Sequence, residues 1–311
     1  MRNRSWLLVP GDSDKKLGMA LTSGADAVVV DIAGYTDPVD KALARRRAAE
    51  WLAVHRRQVT ESRRFARWVR IAPIDDPAWR EDMIVAMRGG ADGVVLTRAA
   101  GMETVRHLAA ELYELEEAHQ IATGSTQIMA VVGETAQSAL TMAGYLDAAT
   151  PRLTALGWNA ASTTAAAGAR RQRDEQGGWS DPCRMVRAQL LLAAHARGID
   201  AVETAHGEPP HGEKADGKTL GKLAGAARAD GFTGMFALHP AQVPALNTTF
   251  APDEDDKAAA REVLAAQEAA QAGNGLPVDP LRLRAARRVL GQAEPQAPAS
   301  APARMPILRL A

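Results

Sequence analysis

Arg70 stands near the end of a short apolar run, Arg67–Ala72. A guanidinium at a strand end offers a planar fork of donors that suits a carboxylate or an enolate, and a rim salt bridge is the plainer use of the same group. Glu203, Thr204 and His206 close or follow a second run, Asp200–Thr204. They can supply oxygen ligands or a general base near neutral pH. With Glu208, His211 and Glu213 they also read as a polar Gly/Pro-rich loop. His239, just before Pro240, fits a structural hydrogen bond or a substrate contact. Cys183 reads as a structural residue on a helix face, and a lone cysteine excludes an intramolecular disulfide framework and a Cys-rich zinc site. No GxSxG nucleophile turn, dinucleotide-binding GxGxxG or P-loop is present.

These residues need a scaffold, and the hydrophobic pattern supplies one. Eight short apolar runs are expected as strands: Ser5–Val9, Asp26–Ile32, Arg67–Ala72, Asp92–Thr97, Thr126–Val132, Leu153–Trp158, Asp200–Thr204 and Thr233–Leu238. The second of them, Asp26–Ile32, is too uniformly apolar to have one wet face. Amphipathic helices are expected between them, among them Asp37–His55, Met102–His119, Glu134–Asp147 and Cys183–Arg197. Such alternation predicts a (β/α)8 TIM barrel, with an open doubly wound sheet as the alternative, because periodicity does not show closure. The barrel is expected over residues 1–250 and a C-terminal helical extension over 251–291. Residues 292–311 read as a Pro/Ala-rich tail whose apolar end, Ile307–Leu310, either docks on a neighbour or hangs free.

Bulk composition narrows the function classes. Lys plus Arg total 37 and Asp plus Glu total 37, so no global field attracts nucleic acid or an anionic membrane. The apolar run Trp6–Val9 is shorter than the about 7–15 residues of a signal peptide and far shorter than the roughly 20 of a membrane helix. A cytoplasmic protein is expected.

Several segments, in order, resemble the citrate lyase β-subunit / HpcH–HpaI aldolase family. Arg4 to Asp12 (RSWLLVPGD) is similar to its opening strand and phosphate-side loop. Ser23–Asp31 and Gly90–Leu96 are similar to its second and fourth strands, and Val69-Arg70-Ile71 to its arginine-bearing third. Gly133-Glu134-Thr135-Ala136 resembles its IET-type strand end, and Leu238–Val243 with Asn247 and Phe250–Pro252 its signature ending. The likeness spans roughly residues 4–265.

The resemblance implies carbon–carbon bond cleavage or formation at a 2-oxo acid or a coenzyme A thioester. Arg70 would stabilise the oxyanion, and Glu134 would be the first carboxylate on Mg²⁺ or a base. The second ligand, an aspartate in a GAEDL-like pattern, falls on Ser162 when aligned on Gly168-Ala169-Arg170, and a neutral hydroxyl is a weaker ligand for a hard cation. The acidic DLED-like turn keeps only Asp31, with Ala33 and Gly34 replacing carboxylates, and Ala72 stands where the family often has Asn. Arg4, Lys15, Lys16 and Arg98 are expected near the coenzyme A loops. The resemblance also implies a homo-oligomer, a trimer first, built around a small-molecule site. A barrel that binds a CoA thioester or a partner protein without turnover is the alternative, and a metal-free thioesterase using the strand-seven residues is a third reading.

Overall fold

Each expected apolar run forms a strand, and the strands pair in chain order until the last meets the first. They are β1 (Ser5–Pro10), β2 (Ala27–Asp31), β3 (Ala66–Ile71), β4 (Gly93–Leu96), β5 (Gln127–Val132), β6 (Leu153–Trp158), β7 (Asp200–Glu203) and β8 (Gly234–Ala237). All pairings are parallel, and the register of Trp6 with Phe236 joins β1 to β8, so the sheet is a closed barrel of eight strands. The computed structural model describes residues 3–55, 65–147, 150–206 and 217–291. The chain divides into two compact units, one bounded by Arg2 and Ala251 and the other starting at Pro252.

Alternation along each strand explains why both faces are apolar. Trp6, Val29, Trp68, Val95 and Phe236 point into the barrel and pack on one another. Their neighbours Leu7, Val28, Val30, Val69 and Val94 point outward into the layer beneath the helices. The Trp6 and Trp68 rings meet edge-on at 5.0 Å and plug the barrel interior. Gly93 is required by that plug, since a Cβ there would lie 2.5 Å from the Trp68 ring.

The outer layer contains α1 (Asp14–Ala20), α2 (Pro38–Val54), α3 (Trp79–Gly89), α4 (Met102–Ala118), α5 (Ala136–Leu140), α6 (Ala160–Ala166), α7 (Asp181–Arg197), α8 (Gly217–Asp230) and α9 (Val243–Thr249). Local chemistry sets their ends. Asp37 caps α2 through the N–H groups of Val39 and Asp40, and Gly198 ends α7 in the left-handed region at φ 64°. One expectation changes. The helix foreseen over Glu134–Asp147 starts only after the cap Thr135 and gives way to a 3-10 turn over Met142–Leu146. The tighter turn is pinned from outside: Thr141 donates to the Ala100 carbonyl at 2.7 Å, and the buried Tyr145 hydroxyl donates to that of Ala99 at 3.3 Å.

The second unit holds α10 (Glu254–Gln271) and α11 (Pro280–Val289), capped by Asp253 and Asp279. The Pro/Ala-rich tail at 292–311 lies outside the described residues, as do Glu208, His211 and Glu213. Among the described residues no helix is long and apolar enough to cross a membrane.

Candidate active site

The C-terminal ends of the parallel strands surround a cavity of about 350 Å³. Arg70, Glu134, Asn159 and Thr204 supply polar groups to it, while Leu8, Val95, Val131, Phe236 and Leu238 line it with apolar surface. Register builds its first feature. Asp31 and Arg70 are direct partners across β2 and β3, and their side chains meet at 2.9 Å. The other Asp31 oxygen accepts the N–H groups of Ala33 and Gly34, which immobilises the carboxylate. Arg70 is thus anchored on one side, and Asp31 is its only hydrogen-bond partner among the described residues. The remaining donors of its fork are available to a ligand carboxylate or enolate.

Glu134 leaves β5 through Gly133, whose φ of 71° and close approach to Val186 suit glycine alone. It precedes the cap Thr135 and accepts the backbone N–H of Arg98 at 2.6 Å. One of its oxygens therefore ties the loop after β5 to the loop after β4.

Ser162 does not reach the cavity. It is the third residue of α6, and its N–H donates to the cap Asn159 at 3.2 Å. The wall is formed instead by Asn159, Ala160 and Ala161. β6 ends at Trp158, so the three residues directly after the strand are the ones that face the cavity.

A site for a divalent cation needs several oxygen ligands, preferably more than one of them anionic. Here Glu134 is a single carboxylate with one oxygen already engaged, Asp31 is held by Arg70, and Ala160 has no donor. Among the described residues no group of three or more His, Cys, Asp or Glu side chains is arranged to hold a metal. The donor set does not fit the two-carboxylate site that the resemblance implies.

The strand-seven residues have structural work. Glu203 is buried and accepts Trp158 Nε1 at 2.6 Å, Arg187 Nε at 2.7 Å and the Thr204 N–H at 2.9 Å. Burial raises its pKa, opposed by the charge of Arg187 and these hydrogen bonds. Thr204 accepts the N–H of Ala160 at 3.1 Å and still lines the cavity. His206 is exposed, and its carbonyl accepts Gln242 Nε2. His239 caps the turn Pro240–Gln242 through its Nδ1, and buried Cys183 lies 3.5 Å from the Thr164 hydroxyl.

Lys15 and Lys16 are exposed in the first turn of α1, on the same end of the barrel as the cavity. Arg98 is exposed just after β4, 4.0 Å from Asp75. Arg4 is elsewhere. It precedes β1, at the opposite end of the strands, where Asp26 binds its Nε at 2.7 Å and Nη2 at 2.9 Å. An N-terminal strand end cannot face a C-terminal mouth, so Arg4 is not gathered with the other expected anion contacts. Asn159 and Gln172 line the cavity without having been foreseen. Asn159 carried a signal, a capping residue directly before an Ala-rich helix, whereas Gln172 carried none.

Comparison with known proteins places this site in context. The model of the HpcH/HpaI aldolase/citrate lyase family matches residues 4–240. The chain belongs to that family. An L-malyl-CoA/beta-methylmalyl-CoA lyase of Cereibacter sphaeroides is 28% identical over 296 residues, covering 89% of this chain and 88% of the relative. The citrate lyase subunit beta of Escherichia coli is 28% identical over 300 residues, covering 94% and 93%. A crystal structure of Mycobacterium tuberculosis CitE in complex with magnesium, acetoacetate and coenzyme A is 26% identical, with a TM-score of 0.63 and coverage of 93% and 97%. Another CitE structure, with magnesium and acetoacetate, has a TM-score of 0.62 at 25% identity. Arg70 and Glu134 stand at the mouth of the barrel, and Ala160 is part of its wall.

Proposed function

We propose that this protein is a carbon–carbon lyase of the citrate lyase-β and malyl-CoA lyase type, acting on a CoA thioester or 2-oxo acid in the barrel mouth. The observation that carries the reading is Arg70, anchored by Asp31 and facing a cavity of about 350 Å³ that also contains Glu134. In the cleavage direction, a β-hydroxyl proton passes to Glu134 and the carbon–carbon bond breaks. The hydroxyl carbon becomes the carbonyl of one product, and the bonding electrons enter the enolate of the other. Fixed positive charge at Arg70 stabilises the negative charge as it develops. The enolate then takes up a proton. The exposed cations Lys15, Lys16 and Arg98 lie on the same end of the barrel and suit coenzyme A phosphates. A cytoplasmic homo-oligomer, a trimer first, is the assembly this reading expects.

Arg70→Ala should abolish turnover of a malyl- or citryl-type CoA thioester, with thermal stability nearly unchanged because Arg70 is a rim residue. An active variant would sink the assignment.

A second reading is favoured by the wall after β6, where Asn159, Ala160 and Ala161 offer no carboxylate. On that reading the barrel binds a thioester or oxo acid without converting it. Thermal stabilisation by the ligand with no product from any thioester tested would establish it, and robust turnover would remove it.

A further inference from the structure

Beside the mouth lies a second cavity of about 290 Å³, bounded by the loop after α6 and by α7, α8 and β8. Leu223, Ala226 and Met235 give it an apolar wall. Its cations are Arg173 and Arg187, and they are treated differently. Arg187 is neutralised twice, by Glu203 at 2.7 Å and by Asp230 at 2.7 Å. Arg173 is half-buried, stacks 3.5 Å over the Trp179 ring and donates Nη1 to the Gly177 carbonyl at 2.8 Å. Nothing among the described residues engages its Nε or Nη2.

Arg4 shows what such an edge is suited to. Its Nη1 also donates to a backbone carbonyl, that of Asn247 at 3.2 Å, while Nε and Nη2 bind the two oxygens of Asp26 at 2.7 and 2.9 Å. Arg173 has the same carbonyl contact and the same pair of donors, without the carboxylate. The nearby carboxylates are engaged elsewhere. Glu203 accepts from Trp158, Thr204 and Arg187, Asp230 from Arg187, and Asp174 from the N–H groups of Gln176 and Gly178.

The guanidinium is also held in place. Arg173 and Trp179 bridge as an antiparallel pair, and the Ser180 N–H donates to the Gln172 carbonyl. Trp179 meets Trp158 edge-on at 5.1 Å, which fixes the loop against the end of β6. A half-buried cation fixed with unused donors is costly until an anion joins it. Burial lowers the pKa of Arg173 from its ordinary value, and the charge of Glu203 opposes it.

We infer that this cavity binds a short-chain monocarboxylate, its two oxygens on the Nε–Nη2 edge of Arg173 and its alkyl body against Leu223, Ala226 and Met235. With Arg187 already neutralised, the cavity offers one positive charge in a planar fork, which matches a carboxylate better than a doubly charged phosphate. The site uses neither Arg70 nor Glu134, so it stands apart from the function proposed above, and the acid is an accessory ligand rather than the substrate.

The test is a fluorine NMR titration of trifluorobutanoate into the full-length protein, with butanoate and inorganic phosphate as competitors and trifluorobutanol as the neutral control. The expected result is saturable line broadening that butanoate reverses, with the alcohol binding at least about tenfold more weakly, the scale of a charge-assisted hydrogen bond. Arg173→Gln should weaken binding of the acid at least about tenfold, Arg173→Lys should retain part of it, and Arg70→Ala should bind like the wild type. Absence of saturable binding, or equal affinity in Arg173→Gln, would overturn the inference. Loss of binding in Arg70→Ala would place the acid in the mouth and overturn it too. Displacement by phosphate at lower concentration than by butanoate would mark an inorganic oxyanion site instead. A crystal structure of the wild type with the acid guards against a variant that fails to fold, since a carboxylate away from Arg173 also overturns the inference.

Discussion

At the scale of single residues, the site depends on a contact between two side chains far apart in sequence. Asp31 and Arg70 are joined because β2 and β3 pair in the register that places them side by side. Asp31→Asn would keep the volume and remove the charge that steadies the guanidinium. We expect KM for the oxo acid or thioester to rise roughly tenfold, with a smaller fall in kcat, in steady-state kinetics. An unchanged KM would mean that Arg70 needs no anchor. The other decisive residue is Ala160. Its position at the start of α6, beside the mouth, is one where an aspartate would also be favoured by the helix dipole. Ala160→Asp should confer Mg²⁺ binding roughly tenfold or more tighter than that of the wild type, read by calorimetry with pyruvate present. Equal Mg²⁺ affinity in both proteins would show that other ligands already complete a site.

At the scale of elements, the barrel is tied together at the end away from the site. The end of α4 carries Glu116, which meets Arg152, just before β6, through two contacts of 2.7 Å. Glu116 also accepts the N–H groups of Gly124 and Thr126, which lead into β5. Burial alone would raise the Glu116 carboxyl, but Arg152 and the backbone donors outweigh it and bring the pKa from 4.5 down to about 2. A depressed native pKa means that this stabilisation is complete above pH 4.5 and fades as pH falls from there toward about 2. Urea unfolding midpoints of the wild type should therefore fall more steeply across that interval than those of Glu116→Gln. Glu116→Ala leaves Arg152 buried without its partner and should cost about 3–5 kcal/mol near neutral pH. Gly93→Ala drives a methyl group into Trp68 and should cost about 1–3 kcal/mol by the same measurement, without altering the mouth directly.

At the scale of the whole molecule, closure turns eight separate strand ends into one pocket. A ligand that binds only the closed barrel stabilises it by mass action. At about 100 times Kd the gain is about 2.7 kcal/mol, visible as a raised unfolding midpoint. That gain should vanish in Arg70→Ala for a 2-oxo acid. A midpoint that rises equally in the variant would place the ligand away from the mouth.

Much of this architecture was legible in the chain itself. Uniformly apolar runs such as Ala27–Val30 require burial on both faces, and that is enough to call for a parallel sheet covered by helices. Arg70 could be singled out because strand ends in such a sheet collect at one mouth, whereas Glu134 was singled out by the resemblance to the family. Other features depended on pairing between distant segments, which local pattern does not encode. The β1 to β8 register decided that the sheet closes, and the end of β6 at Trp158 decided that Ala160, not Ser162, stands in the wall. Likewise, Arg4 looked like a neighbour of the phosphate-side loop in sequence, yet a strand separates it from that loop and Asp26 holds it at the far end. Sequence proximity along a strand becomes distance along the barrel axis, while residues far apart in sequence on neighbouring strands become contacts.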